Sequence, residues 1–239
     1  MKKTFSVKSL LVSMAIASSA ALSVAPATTQ AGVTGNMGAV STYVFRGVYQ
    51  TGAAGQGGID YESDSGVYVG TWLSNVDTGG AKSQHGLEYD LYGGWAGTAG
   101  GVDLGVGYAG YFYTNGFDQM YNELNLSAGF GGVTIAFNPG VYDKPDAKGH
   151  STTNYYNANV SGDIGPISAT LGYNDWDTST GSTKSGAVNT YVELSYSKEL
   201  TKGLDGSITY MGSQAEDAAG KSDIQNYLVF GVTSTFDIM

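Results

Sequence analysis

The sequence predicts an all-β fold: a transmembrane, up-and-down antiparallel β-barrel of about 12 strands with both termini periplasmic. Three observations predict it: an export-type leader, a mature chain of short alternating segments with no long apolar run, and charges confined to one face of those segments.

The leader comes first. Lys2, Lys3 and Lys8 precede an uncharged stretch from Leu10 to Val24 that is apolar or small. That stretch is shorter than the ~20 apolar residues a spanning helix needs. It runs into Ala25-Pro26-Ala27 and then Thr29-Gln30-Ala31, two sites with small side chains at alternate positions, so cleavage is expected after Ala27 or after Ala31. We therefore expect residues 1–31 to be a cleaved Sec signal peptide and residues 32–239 to form a single barrel domain.

Composition then removes several function classes. The leader holds three of the 11 basic residues and none of the 21 acidic ones, leaving 8 basic against 21 acidic residues and a net charge of −13. Such a surface repels phosphate backbones, so no nucleic-acid partner is expected. The chain has no cysteine, which excludes disulfides and thiolate metal sites in a protein that leaves the cytoplasm. The mature part contains no stretch approaching 18 apolar residues, and a helical membrane protein is excluded. The whole chain has 37 Gly and 18 Tyr against 4 Pro, and its mature part is arranged as strand-like segments separated by polar and glycine clusters.

Such segments fall near 35–50, 55–63, 66–75, 85–96, 101–113, 119–130, 132–142, 152–161, 165–175, 187–198, 204–213 and 224–238. Alternate connections are short, at Ser63 to Gly66, Gly97 to Gly101, Gly131-Gly132, Gly162 to Gly165 and Glu199 to Gly203. The others are longer and more polar, at Val76 to Gln84, Asp143 to Ser151, Asp177 to Gly186 and Gln214 to Asp223. Outer-membrane barrels pair short periplasmic turns with long outer loops, which sets both termini on the periplasmic side.

Residues i and i+2 share a strand face, and an Arg or Lys facing mid-bilayer lipid costs roughly 2–4 kcal/mol. In the fourth segment Leu87, Tyr89, Leu91 and Trp95 lie opposite Glu88, Asp90 and Tyr92. The fifth sets Val102, Leu104, Val106, Tyr108 and Phe112 against Asp103, Gly105 and Gly107, and the sixth sets Leu124, Leu126, Ala128 and Phe130 against Tyr121, Glu123, Asn125 and Ser127. Tyr155, Asn157 and Asn159 make a polar face in the eighth, and Tyr191, Glu193 and Ser195 in the tenth. The last segment carries Leu228, Phe230, Val232 and Phe236 on one face, the kind of terminal strand that barrel-assembly machinery reads, although Asp237-Ile238-Met239 follows the aromatic residue.

Thr42 to Gly47 (TYVFRG), Gln56 to Tyr61 (QGGIDY) and Gly66 to Asn75 (GVYVGTWLSN) resemble the TorF-type porin family of proteobacterial outer-membrane proteins, with a Gcw_chp-type domain. The likeness is strongest over residues 41–96 and looser to the end of the chain. It implies a location in the cell outer membrane, surrounded by membrane lipid and lipopolysaccharide, and a porin function without a defined solute.

The same residues have a physical reading. A first hairpin closed near Ala53 sets Arg46 almost opposite Asp60 on the lumen face, as a register-fixing ion pair or as a selectivity element. Trp72 is expected near Glu88, as interior packing or as a stacking surface for a planar solute. The expected pore-lining set is Arg46, Asp60, Glu62, Trp72, Glu88, Asp90, Tyr92, Asp103, Glu123 and Glu193. Its acidic excess favours cations if the bore is open to water; if side chains fill the bore, the acids are structural.

The expectation is a channel for passive diffusion of small hydrophilic solutes, cation-favouring through an acidic lumen. Two alternatives stand beside it: a non-conducting structural or loop-binding barrel, and an outer-membrane lipid-modifying enzyme. The last needs a base beside a nucleophile, and His85 and His150 sit in no nucleophile motif, so no catalytic residue and no enzyme activity are expected. No cofactor and no metal are expected either. Gly105 to Gly110 fits GxGxxG without a helix to follow, and Asp143, Asp146, Asp175 and Asp177 lack calcium-loop spacing.

Overall fold

A computed structural model describes residues 31–79, 84–146, 149–177, 186–216 and 221–239; the expected leader, apart from Ala31, lies outside them. Fourteen strands follow in chain order: β1 (Gly32–Val40), β2 (Tyr43–Phe45), β3 (Val48–Thr51), β4 (Ala54–Glu62), β5 (Val67–Asp77), β6 (His85–Ala99), β7 (Val102–Tyr113), β8 (Tyr121–Phe130), β9 (Val133–Asp146), β10 (Gly149–Ile164), β11 (Ile167–Asp177), β12 (Gly186–Thr201), β13 (Leu204–Glu216) and β14 (Ser222–Asp237). β1 and β4 to β14 close into a 12-stranded antiparallel barrel, with β1 sealed between β4 and β14. The pairs Val40↔Ala54 and Thr34↔Asp237 mark the two ends of β1, so the start of β1 and the end of β14 lie at one end of the barrel. Closure leaves the barrel no unpaired edge among the described residues, as a wall in hydrocarbon requires.

The inside-out pattern expected from the alternation is present. Leu87, Tyr89, Leu91, Trp95, Leu104, Val106, Leu124, Leu171, Leu194, Leu228 and Phe230 are exposed on the outer wall. Their strand neighbours Glu88, Asp90, Glu123, Asn125, Asn157, Asn174 and Glu193 are buried on the inner one. A soluble sandwich would reverse the two faces; polar inside and apolar outside is the arrangement of a bilayer-spanning barrel.

The inner wall also accounts for the glycine and tyrosine content. Tyr68 faces Gly94, Tyr92 faces Gly70, Tyr155 faces Gly140 and Tyr191 faces Gly172 as direct cross-strand partners. A Cβ on Gly172 would stand 2.1 Å from the Tyr191 ring, and one on Gly140 would stand 2.3 Å from that of Tyr155. Each tyrosine lies flat over a slot that only glycine leaves open.

Two expectations are corrected. The sequence predicts an outer loop over 143–151, yet β9 and β10 remain paired up to His150↔Pro145 and Gly149↔Asp146. Ladder hydrogen bonds continue beyond the apolar band and absorb these polar residues, and Asp175 and Asp177 end β11 in the same way. The first segment, expected as one strand over 35–50, is broken. The barrel strand stops at Val40, and residues 41–53 turn into the bore as the β2–β3 hairpin.

Candidate functional site: a hairpin folded across the bore

The inward hairpin is built by its own turn. Phe45 pairs with Val48 across Arg46-Gly47, both at positive φ (49° and 80°), the two-residue turn whose twist suits a β-hairpin. Gly47 also answers a lack of space, since a Cβ there would stand 2.8 Å from Tyr191 and 2.9 Å from Ser213. Arg46, a non-glycine residue in the left-handed region, is held in that conformation by its surroundings.

Two walls grip the hairpin. Toward β5–β7, Tyr43 meets Trp72 edge-on with ring centroids 5.5 Å apart, and Phe45 meets Tyr111 at 5.8 Å. Toward β14, Tyr49 stacks on Tyr227 at 6.2 Å. At the base, Asn75 clamps the return of the chain: its Nδ2 donates to the Ala53 carbonyl (3.1 Å) and its Oδ1 accepts from the Gly55 amide (2.8 Å). Val44 is wholly buried.

The tip is fixed by one residue acting in two directions. The Arg46 guanidinium donates through both terminal nitrogens to Glu123 of β8, at 2.6 and 2.9 Å. The Arg46 carbonyl accepts from Asn174 Nδ2 of β11 and Asn189 Nδ2 of β12, each at 2.9 Å. Burial alone would lower the guanidinium pKa, but the Glu123 carboxylate outweighs it and holds the group above the ordinary arginine range. Burial pushes the Tyr43 phenol well up, with Glu88 and Asp90 adding to the effect.

Behind the tip runs an asparagine ladder along the inner wall. Asn125 Nδ2 donates to Asn138 Oδ1 (3.3 Å), Asn138 Nδ2 to Asn157 Oδ1 (3.0 Å), and Asn157 Nδ2 to Asn174 Oδ1 (2.8 Å). Asn125 Nδ2 also donates to Glu123 (2.5 Å). The hydrogen bonds thus form a circuit that leaves Glu123, crosses β8 to β11 and returns through the Arg46 backbone. Side-chain amides hand the bonding from strand to strand and satisfy most of the polar groups of the circuit, while Asn125 Oδ1, Asn189 Oδ1 and Arg46 Nε stay buried without a partner.

The structure brings together some of the predicted pore-lining residues and separates others. Arg46, Glu88, Asp90, Glu123 and Glu193 are buried inside the barrel; Asp60, Glu62, Trp72, Tyr92 and Asp103 are half-buried on the same inner face. Arg46 does not pair with Asp60. The break after Val40 carries it away from the β1–β4 ladder to Glu123, 77 residues further along the chain. Asp60 instead accepts from Asn36 Nδ2 (3.2 Å) and from the Tyr92 hydroxyl. Trp72 lies opposite Asp90, with Ser74 opposite Glu88, so the tryptophan sits two residues along β6 from the expected partner. Glu88 accepts from the Tyr113 hydroxyl (3.1 Å), and Asp103 accepts from Thr98 Oγ1 (2.6 Å).

Of the two histidines, His85 sits at the loop end of β6 with Nδ1 3.0 Å from Asp77, and the His150 side chain lies outside the described residues. Alternation alone does not reveal the inward hairpin or the ladder. The ladder has a visible signal, because Asn125, Asn138, Asn157, Asn174 and Asn189 occupy the inner face of five consecutive strands. The hairpin has only the Arg-Gly pair inside an otherwise strand-like run.

Among solved structures, the barrel is similar to the KdgM porin (TM-score 0.52, 9% identity, covering 85% of this chain and 99% of that one). It is also similar to a membrane protein from a study of in-meso crystallization (TM-score 0.54, 10% identity, 86% and 84%). The NanC porin matches at a TM-score of 0.49 and 11% identity over 84% and 98%. At these identities the likeness is one of fold. No curated protein matches the chain. The model of one family, described as bacterial proteins of unknown function (Gcw_chp), matches residues 24–236, and the chain belongs to that family.

Proposed function

We propose that the protein is exported with residues 1–31 removed, resides in the outer membrane with both termini periplasmic, and works as a narrow porin-like channel. It passes small hydrophilic solutes by diffusion and favours cations. The observation that carries this reading is the inner wall: polar and acidic within an apolar exterior, and crossed by a hairpin whose arginine is committed to Glu123. With Arg46 committed to Glu123, the acids of the inner wall, among them Asp60, Glu88, Asp90 and Asp103, leave it an acidic excess, which favours cations over anions. The likeness of Thr42 to Gly47 and Gly66 to Asn75 to TorF-type porins supports the same reading, and so does the porin fold of KdgM. Those two motifs form the hairpin and the β5 wall that receives it, so the resemblance falls on the constriction.

A second reading, a barrel that does not conduct, is favoured by one observation: the hairpin reaches from the β5–β7 wall to β8, β11 and β12. Reconstitution in a planar bilayer separates the two. Discrete conductance steps with cation-sided reversal potentials are expected. Their absence across a range of salt concentrations would reject the channel and leave the structural barrel.

A further inference from the structure

The inner wall of β6 carries two acids that the Arg46 circuit does not use. Glu88 and Asp90 share one face, two residues apart, and are only 1% and 8% exposed. Glu88 Oε2 and Asp90 Oδ1 are both buried without a hydrogen-bond partner. Tyr43 of the hairpin packs on Trp72, which stands opposite Asp90, and its phenol lies close enough to Glu88 to interact with it, while the Tyr113 hydroxyl donates to the other oxygen of Glu88.

Two adjacent carboxyl groups with an orphaned oxygen each are costly to bury as anions in a bore, so each must be neutralised by a proton or joined by a positive charge. Arg46, the basic side chain of the hairpin, already forms a bidentate pair with Glu123. Among the described residues no group of three or more His, Cys, Asp or Glu is placed to hold a metal ion. So sparse a set of carboxylates argues against a divalent ion, which demands a fuller oxygen shell.

We propose that Glu88, Asp90 and the Tyr43 hydroxyl form a discrete binding site for a monovalent cation at the constriction, occupied by ions in transit. The orphaned oxygens and the phenol replace part of the hydration shell. Two carboxylates attract strongly enough for entry, while the sparse ligand set lets the ion leave, the balance that conduction requires. The site rests on the channel reading for its purpose but not for its detection.

Thallium(I), a potassium-sized ion whose heavy atom quenches tryptophan on contact, reads the site directly. With Trp95→Phe and Trp176→Phe, the tryptophan fluorescence of the refolded protein comes from Trp72 alone, since the chain has three tryptophans. Saturable quenching is expected, competed by potassium. Glu88→Gln with Asp90→Asn should raise the half-saturating concentration by about tenfold or more. Both amides keep the shape and remove buried charge, so the barrel is expected to fold, which the gel shift on heating checks; Asp90→Asn alone provides a milder variant. Linear, collisional quenching that is the same in both proteins would overturn the site. This titration needs no current. A silent bilayer recording would therefore reject the channel reading, while saturable or linear quenching would still decide for or against the site.

Discussion

Replacing Arg46 by alanine should free the hairpin. The guanidinium supplies both donors of a buried, bidentate ion pair, and its loss leaves Glu123 buried without a cationic partner, with Asn125 and the Tyr111 hydroxyl still donating to it. Breaking a buried pair from one side costs about 3–5 kcal/mol. The inward state alone bears that cost, because a displaced hairpin lets water reach Glu123. At about 1.4 kcal/mol per tenfold, the population of the displaced hairpin should rise by roughly two to four orders of magnitude. Val44 supplies the probe: it is wholly buried, and the chain has no cysteine to compete with an introduced one. Val44→Cys should react slowly with a water-soluble maleimide in the otherwise native protein and about 100-fold or more faster with Arg46→Ala present. Single-channel conductance should rise in parallel. Arg46→Met with Glu123→Met, which removes both charges and keeps much of the volume, should restore most of the protection. Equal labelling rates with and without Arg46 would refute the idea that this pair holds the hairpin in the bore.

Asn174→Ala and Asn189→Ala each remove one donor to the Arg46 carbonyl and should speed labelling of the Val44→Cys protein by about tenfold, as loss of a buried hydrogen bond costs roughly 1–3 kcal/mol. If neither changes the rate, the ladder does not support the tip. Gly172→Ala drives a methyl into the Tyr191 ring and should lower unfolding stability by about 1–3 kcal/mol, measured by urea titration in detergent, with Tyr191→Phe giving no relief and Tyr191→Ala giving some. Leu91→Arg tests the outer wall: Leu91 is 52% exposed in the middle of β6, and reversible folding into lipid vesicles should lose about 2–4 kcal/mol if that face meets the bilayer. A neutral effect would place the residue in water.

How far each feature is legible in the sequence depends on how local it is. The faces of β6, β7, β8 and β12 are legible because period-2 alternation is a property of adjacent residues, and a charge on the wrong face carries a large cost. The short turns at Ser63 to Gly66 and Gly131-Gly132 are legible for the same reason, since positive φ selects glycine. Strand length is less so. Nothing in Asp143 to Ser151 distinguishes a polar loop from a paired hairpin that continues past the membrane band.

Arg46 shows where local reasoning stops. It reaches the bore through the turn of the inward hairpin and not by strand parity, but the inference from its charge to an acidic partner holds. The choice of Asp60 does not, because counting register from Ala53 assumes an unbroken strand. Two-residue turn chemistry at Arg46-Gly47 competes with strand propensity through Tyr43 to Tyr49, and local sequence weighs the two almost equally. By itself, then, the sequence determined the barrel class, the polar interior and which residues face it, since those follow from alternation and side-chain chemistry. Only the closed barrel decided where Arg46 goes. Its seat is assembled from Glu123, Asn174 and Asn189 on three strands far from it in the chain, and that pocket comes into existence when the sheet closes on itself.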